Sequence, residues 1–250
     1  MTRILLSGCC GKMGRNVVSV VNARKDCEIV AGIDIIDDST LGFPVFQNYS
    51  EVNVVADVII DFSNPALLSD MLDFAVKTNT AVVLATTGLS DEQIKEVEEA
   101  SKTIAVFFSY NMSLGVSLLC ELSKTAAKIL GTDFDVEIVE AHHNQKIDAP
   151  SGTAIMLGNA VKEMMPDAYF EYDRHSKREK RHTNEIGIHS VRGGTIVGEH
   201  EVIFAGNDEI VKLSHSARSK AIFAQGAVNA AAFLNGKDYG IYNMSDLVNS

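Results

Sequence analysis

From residue 3 to residue 109 the chain alternates two periodicities, and this alternation constrains its fold more than any other feature. Short β-branched or apolar runs fall at 3–7, 29–33, 54–62, 80–86 and 103–109, and stretches of helical period at 13–22, 65–78 and 90–102 separate most of them. Strands that alternate with helices predict a parallel sheet covered by helices on both faces. The run 54–60 is nearly all apolar, as expected of a strand buried on both sides.

The pattern changes beyond residue 113. A helix is expected over Leu114–Leu130, a strand over 134–141 and a helix over 153–164 that stops at Pro166. A charged, turn-rich stretch follows at 173–185. Two strand-like segments, 195–205 and 209–215, flank Gly206-Asn207-Asp208, which has hairpin-turn chemistry. The expected architecture is therefore α/β: an N-terminal doubly wound parallel sheet of Rossmann type, plus a C-terminal α+β domain with an open mixed sheet. The first domain spans 1–113 and is completed by 217–250, whose first part, 217–234, is helical in period. The second spans 114–216 and is expected to bind substrate. No low-complexity linker separates them, so a hinge is expected rather than a tether.

The first strand runs straight into Gly8-Cys9-Cys10-Gly11-Lys12-Met13-Gly14, and a helix follows. In such a loop one glycine permits the tight turn, one lets backbone approach a pyrophosphate, and one lets the helix pack close to the strand. The helix start then presents its N–H groups and positive dipole end to the phosphates. Asp34 ends the second strand, where a carboxylate accepts hydrogen bonds from the adenosine ribose. No Arg or Lys stands beside Asp34 in sequence, so NADH is the expected preference, with NADPH left open through Lys12 or Arg15.

A second cluster occupies Glu140-Ala141-His142-His143-Asn144-Gln145-Lys146-Ile147-Asp148-Ala149-Pro150-Ser151-Gly152-Thr153-Ala154. Two histidines follow a strand, and histidine is the side chain poised to give up a proton near neutral pH. Lys146 supplies a cation. Pro150 disfavours helix at Ala149, so Ser151 is placed as an N-cap, with the Gly152 and Thr153 N–H groups forming an anion site. A proton donor, a cation and an anion cradle suit a small substrate carrying carboxylates.

This segment resembles the signature of the 4-hydroxy-tetrahydrodipicolinate (dihydrodipicolinate) reductase family. The Gly8–Gly14 loop, Asp61-Phe62-Ser63, Ala85-Thr86-Thr87-Gly88, Ser109-Tyr110-Asn111-Met112-Ser113 and Val191-Arg192-Gly193-Gly194 resemble it in the same order. Lys12 and Ala85 depart from the commoner Arg and Gly. The resemblance implies reduction of that substrate to tetrahydrodipicolinate with NAD(P)H, in lysine and diaminopimelate biosynthesis. It implies nucleotide binding by Gly8, Cys9, Cys10, Gly11, Lys12 and Met13 and, near the nicotinamide, by Ala85, Thr86, Thr87, Ser109, Tyr110, Asn111 and Met112. His142 is implied as proton donor and Lys146 as catalytic cation. His143, Lys146, Ser151, Gly152, Thr153 and Arg192 are implied to hold the substrate carboxylates, in a homotetramer. Two other readings stay open: a non-catalytic nicotinamide-nucleotide sensor, and another two-domain reductase of the aspartate-semialdehyde or homoserine type.

Bulk properties remove other classes. A net charge of −11 argues against nucleic acid or an anionic membrane as partner. Three apolar residues, Ile4 to Leu6, are too few for a secretion-signal core, and no run approaches the ~20 residues of a bilayer span. A cytoplasmic location is expected. The four cysteines lack C-x-x-C spacing, so reduced thiols and no metal site are expected. The basic run from Arg174 to His182 reads as a solvated loop, or else as a mobile loop attracting an anionic substrate.

Overall fold

Ile4, Leu5 and Leu6 are all fully buried, yet they enter two different cores. Ile4 and Leu6 point to one face of their strand and Leu5 to the other, which requires helices on both sides of the sheet. The computed structural model, which describes every residue except Asp37 and Tyr110, has this arrangement. Its elements are β1 (Thr2–Ser7), α1 (Lys12–Asn22), β2 (Cys27–Ile33), β3 (Val45–Phe46), β4 (Val58–Asp61), α2 (Leu68–Thr78), β5 (Ala81–Leu84), α3 (Asp91–Ala100) and β6 (Ala105–Phe108). They continue with α4 (Leu114–Leu130), β7 (Asp135–His142), α5 (Gly152–Lys162), β8 (Tyr169–Glu171), β9 (Glu185–Arg192), β10 (Gly198–Ala205), β11 (Ile210–Ala217), α6 (Ala221–Leu234), β12 (Gly240–Tyr242) and α7 (Met244–Val248).

The chain divides into two compact units, Met1–Ser113 with Lys220–Ser250, and Leu114–Ser219. The first unit holds a parallel sheet in the order β12-β6-β5-β4-β1-β2-β3. Val58, Ile60 and Val83 face α1 and α6; Ile59, Val82 and Leu84 face α2 and α3. Each such side chain contributes about 1.5–3 kcal/mol on burial. Helix α6 uses Ala224, Ala227, Ala230 and Ala231 on its buried side, and a Cβ at Gly226 would lie 1.6 Å from the Met112 carbonyl oxygen. Small residues there allow a close approach that larger ones would block.

The second unit holds a mixed sheet in the order β11-β10-β7-β9-β8. Strand β7 pairs antiparallel with β10 and parallel with β9, and β10 and β11 form the expected hairpin around residues 206–208. Val136, Ile138, Ile186, Ile188, Val202 and Phe204 pack under α4 and α5 through Leu119, Ala154, Leu157 and Val161.

Several segments differ from the sequence reading. Strand β4 begins only at Val58, because Asp57 bends back to Arg3: its carboxylate accepts the Arg3 N–H at 2.7 Å and the guanidinium at 2.6 Å. Strand β9 was not anticipated, since Gly187, His189 and Ser190 dilute its apolar signal; a Cβ at Gly187 would collide with the Glu137 carboxylate. The basic run is tied to acids of the sheet. Arg181 reaches Asp135 at 2.7 Å and Glu137 at 2.9 Å, Arg174 reaches the fully buried Glu185 at 2.8 Å, and Lys177 pairs with Glu171. Burial alone would raise the Glu185 carboxyl, but Arg174 holds it below its ordinary value. Among the described residues, no helix is long and apolar enough to cross a membrane.

Candidate active site

In the first unit the expected nucleotide residues gather at the carboxyl ends of the parallel strands, where open α/β sheets bind ligands. The Gly8 N–H donates to the Ile33 carbonyl at 2.8 Å, and its φ of +76° is one that side-chain-bearing residues rarely adopt. A Cβ at Gly14 would lie 2.2 Å from the Gly8 carbonyl oxygen. Gly11 caps α1 without any side-chain hydrogen bond, so the helix start stays open to an anion. These close backbone approaches fit a pyrophosphate cradle.

Asp34 braces the loop. One carboxylate oxygen accepts the Cys10 N–H at 2.9 Å and the other accepts the Ile36 N–H at 3.2 Å. Cys9 serves through its backbone only. Its side chain is fully buried under Gly32, and burial pushes the thiol up to about 12. Arg15, distant from Asp34 in sequence, reaches the same loop: its guanidinium pairs with Asp38 at 2.7 Å and donates to the Cys10 carbonyl at 3.2 Å. Hydrogen bonds from Thr40, then from Arg15, hold Asp38 at about 2.

Ala85, Thr86 and Thr87 follow β5, and Thr86 donates to the buried Asp61 carboxylate at 2.6 Å. The other Asp61 oxygen accepts the Ser63 hydroxyl at 2.5 Å. Ser109 and Asn111 follow β6, with the Ser109 hydroxyl donating to the Asn111 carbonyl at 3.1 Å. Tyr110 lies outside the described residues. Met112 is a core residue, 4% exposed, so it serves packing.

In the second unit, strand period two puts Glu140 and His142 on the inner face of β7. His142 Nδ1 lies 2.5 Å from a Glu140 oxygen. Both Glu140 oxygens also take Arg192, at 2.7 and 2.8 Å, and one accepts the Ser151 N–H at 3.1 Å. Burial alone would raise this carboxyl; Arg192, Ser190, His142 and the Ser151 N–H together hold it at about 2. Ser151 caps α5 as expected, its hydroxyl accepting the Ala154 N–H at 3.2 Å. The Ala149–Pro150 peptide before it is cis.

His200 lies opposite Glu140 in register. Its ring stands edge-on to His142 at 5.1 Å, and its Nε2 is 3.1 Å from the Ser151 hydroxyl. Burial, reinforced by His142, lowers it to about 4, so it is neutral at pH 7. The Lys146 ammonium pairs with Asp148 at 2.8 Å. His143, Lys146, Gly152 and Thr153 stand at the accessible end of this cluster, while Ser151 is only 2% exposed.

Arg192 departs from its expected place. Its terminal nitrogens bond Glu140, the Val191 carbonyl and the Asp148 carbonyl, which turns it inward rather than toward a substrate carboxylate. Glu140, His142 and His200 are near enough together to hold a metal ion, but the Arg192 guanidinium already occupies both Glu140 oxygens. Glu140 and His200 are the residues that the sequence reading did not single out. The i, i+2 spacing of an acid and a histidine in one strand was the available signal for Glu140; for His200 it was its place in Val197-Gly198-Glu199-His200, which resembles the same family.

The family model described as dihydrodipicolinate reductase, N-terminus, matches residues 2–112, and the one described as dihydrodipicolinate reductase, C-terminus, matches residues 115–248. The 4-hydroxy-tetrahydrodipicolinate reductase of Clostridium novyi (strain NT) is 48% identical over 100% of this chain and 99% of its own. That of Caldanaerobacter subterraneus subsp. tengcongensis is 51% identical over 99% of this chain and 98% of its own. The dipicolinate-bound dihydrodipicolinate reductase from Paenisporosarcina sp. TG-14 superposes with a TM-score of 0.80 at 26% identity, covering 97% of each chain. A DAP dehydrogenase from C. glutamicum, 13% identical with a TM-score of 0.60 over 98% of this chain and 93% of its own, shares the fold.

Proposed function

This chain belongs to the dihydrodipicolinate reductase family, and from that premise we propose how its residues divide the work of reducing 4-hydroxy-tetrahydrodipicolinate. The enzyme is a nicotinamide-dinucleotide-dependent oxidoreductase of lysine and diaminopimelate biosynthesis. The observation that carries the assignment of roles is His142, held by Glu140 and followed in the same segment by Lys146 and the capped start of α5.

The glycine loop and the start of α1 would hold the pyrophosphate, Asp34 would meet the adenosine ribose, and the segments after β5 and β6 would flank the nicotinamide. When bound, the dinucleotide would supply a hydride for the conjugated C=C–C=N system of the dehydrated substrate. Negative charge then builds on that system. His142 donates a proton from Nε2 to neutralise it, and Lys146 stabilises it electrostatically. His143, Lys146, the Ser151 hydroxyl and the N–H groups of Gly152 and Thr153 hold the substrate carboxylates. Arg192 acts through Glu140 instead. Cys120 is not a nucleophile of the semialdehyde-dehydrogenase kind, since burial in α4 raises its thiol to about 11.

We infer a preference for NADH. Asp34 presents a carboxylate where a 2′-phosphate would stand, and Asp38 neutralises Arg15, the nearby cation. NADPH is used when Arg15 exchanges Asp38 for the phosphate. The sheet face opposite α4 and α5 leaves Val191 and Ile210 exposed beside partly buried Val139 and Ile203, and this favours assembly into a homotetramer through that face. A cytoplasmic location accords with the free thiols.

The test is oxidation of NADH and NADPH with and without the product of dihydrodipicolinate synthase. Oxidation that depends on that product is expected. Equal rates without it would reject the function.

A further inference from the structure

We propose that Glu140 is a positioning residue for the reduction: paired with Arg192, it fixes the tautomer of His142 and confines proton exchange to Nε2. The proposal rests on the reading that His142 is the proton donor. Glu140 is fully buried and makes its hydrogen bonds within the site, to His142 Nδ1 at 2.5 Å, to Arg192 at 2.7 and 2.8 Å, and to the Ser151 N–H at 3.1 Å. A carboxylate can only accept, so Nδ1 must carry a hydrogen in both charge states of the imidazole. The acidic proton is then always the one on Nε2.

The space at Nε2 is also arranged. A Cβ at Gly198 would lie 3.1 Å from that nitrogen, so glycine keeps the proton-bearing edge clear. Arg192 has a different effect. An unneutralised buried carboxylate would hold the imidazolium tightly and hinder proton release. The bidentate Arg192 offsets that charge, so the trio cycles between net zero and plus one as Nε2 gives up a proton to substrate and regains one from water. The ring that stands against His142 is the neutral His200 on β10, which lies opposite His215 on β11; Lys146, itself paired with Asp148, acts on His200. Ser151 links the trio to the anion cradle. Its N–H bonds Glu140, while its hydroxyl meets His200 and caps α5.

A purely structural Glu140 would neutralise Arg192 and nothing more. Glu140→Gln disturbs both roles, because the amide keeps the volume but loses the charge that neutralises Arg192 and can present N–H to Nδ1; the tautomer of His142 in the wild type tells them apart. The wrong tautomer then costs turnover while substrate binding survives. For E140Q, kcat is expected to fall at least about tenfold with KM changed less than about threefold. The pH limb of kcat should move as well, because the buried negative charge beside the proton donor is lost. In the wild-type enzyme, 15N NMR of labelled histidines should show neutral His142 protonated on Nδ1. That measurement needs no variant, so it decides the matter even if E140Q misfolds. A wild-type Nε2–H tautomer, or an E140Q enzyme with unchanged kcat and pH limb, overturns the positioning role. Full turnover in H142A overturns the donor reading as well. Impaired H142A with unchanged E140Q overturns the positioning alone.

Discussion

Replacing His200 by Gln should remove a specific acid lability from the second unit. His200 is 5% exposed, and burial lowers it from its ordinary 6.5 to about 4. Because the folded value lies below the unfolded one, the unfolded chain takes up the proton first. The stability involved is intact above pH 6.5 and is lost as the pH falls toward 4. For a single site with these two values the loss is about 1 kcal/mol at pH 6, about 2 at pH 5 and about 3 at pH 4. Gln does not titrate, and its amide can keep the bond from the Nε2 position to the Ser151 hydroxyl, 3.1 Å away in the wild type. His215 is lowered in the same sense by burial, but it is present in both proteins and largely cancels in the difference. The assay is urea unfolding of wild type and H200Q between pH 7.5 and 4, followed by far-UV circular dichroism because the chain has no tryptophan. The stability gap between the two should narrow or reverse by about 3 kcal/mol across that range. Parallel curves, with a gap that stays constant, would refute a buried neutral His200.

Other perturbations reach the remaining parts of the account. Asp38→Asn releases Arg15 and should raise kcat/KM for NADPH relative to NADH by about five- to thirtyfold, a gain that Arg15→Gln cancels; steady-state kinetics with both dinucleotides checks it. Gly14→Ala places a Cβ against backbone atoms at 2.2 and 2.6 Å, and those atoms cannot rotate away. Dinucleotide binding, followed by calorimetric titration, should fall at least about tenfold. Lys146→Ala should raise KM and lower kcat together, since the proposed mechanism has this cation both hold a carboxylate and stabilise developing charge. Steady-state kinetics in varied substrate separates the two effects.

The first unit was legible because its signals are local. Three buried residues in β1 alternate between two cores, and the glycine loop, Asp34 and the strand ends read directly from spacing. What escaped was set by pairing across strands. Strand β9 contains Gly187 because the Glu137 carboxylate fills its side-chain space from β7. The basic run looked like a free loop because its acids, Asp135, Glu137, Glu171 and Glu185, lie on three different strands. Arg15 was named as a possible phosphate contact, but its pairing with Asp38, 23 residues away, is one that no local reading of the segment after Asp34 would find. The site followed the same rule. His142, Lys146 and Ser151 stand in one contiguous motif, whereas Arg192 and His200 reach it only through the register of β9 and β10. Arg192 was assigned to the substrate on its motif alone. Its geometry turns it toward Glu140, because a buried carboxylate needs a cation more than a solvated substrate does.

The central claim is that His142 delivers the proton that accompanies the hydride. It is tested most directly by comparing wild type and His142→Ala in the oxidation of NADH driven by the dihydrodipicolinate synthase product. Turnover should fall by about a hundredfold or more, with KM moving much less. Undiminished turnover in the alanine variant would contradict the account.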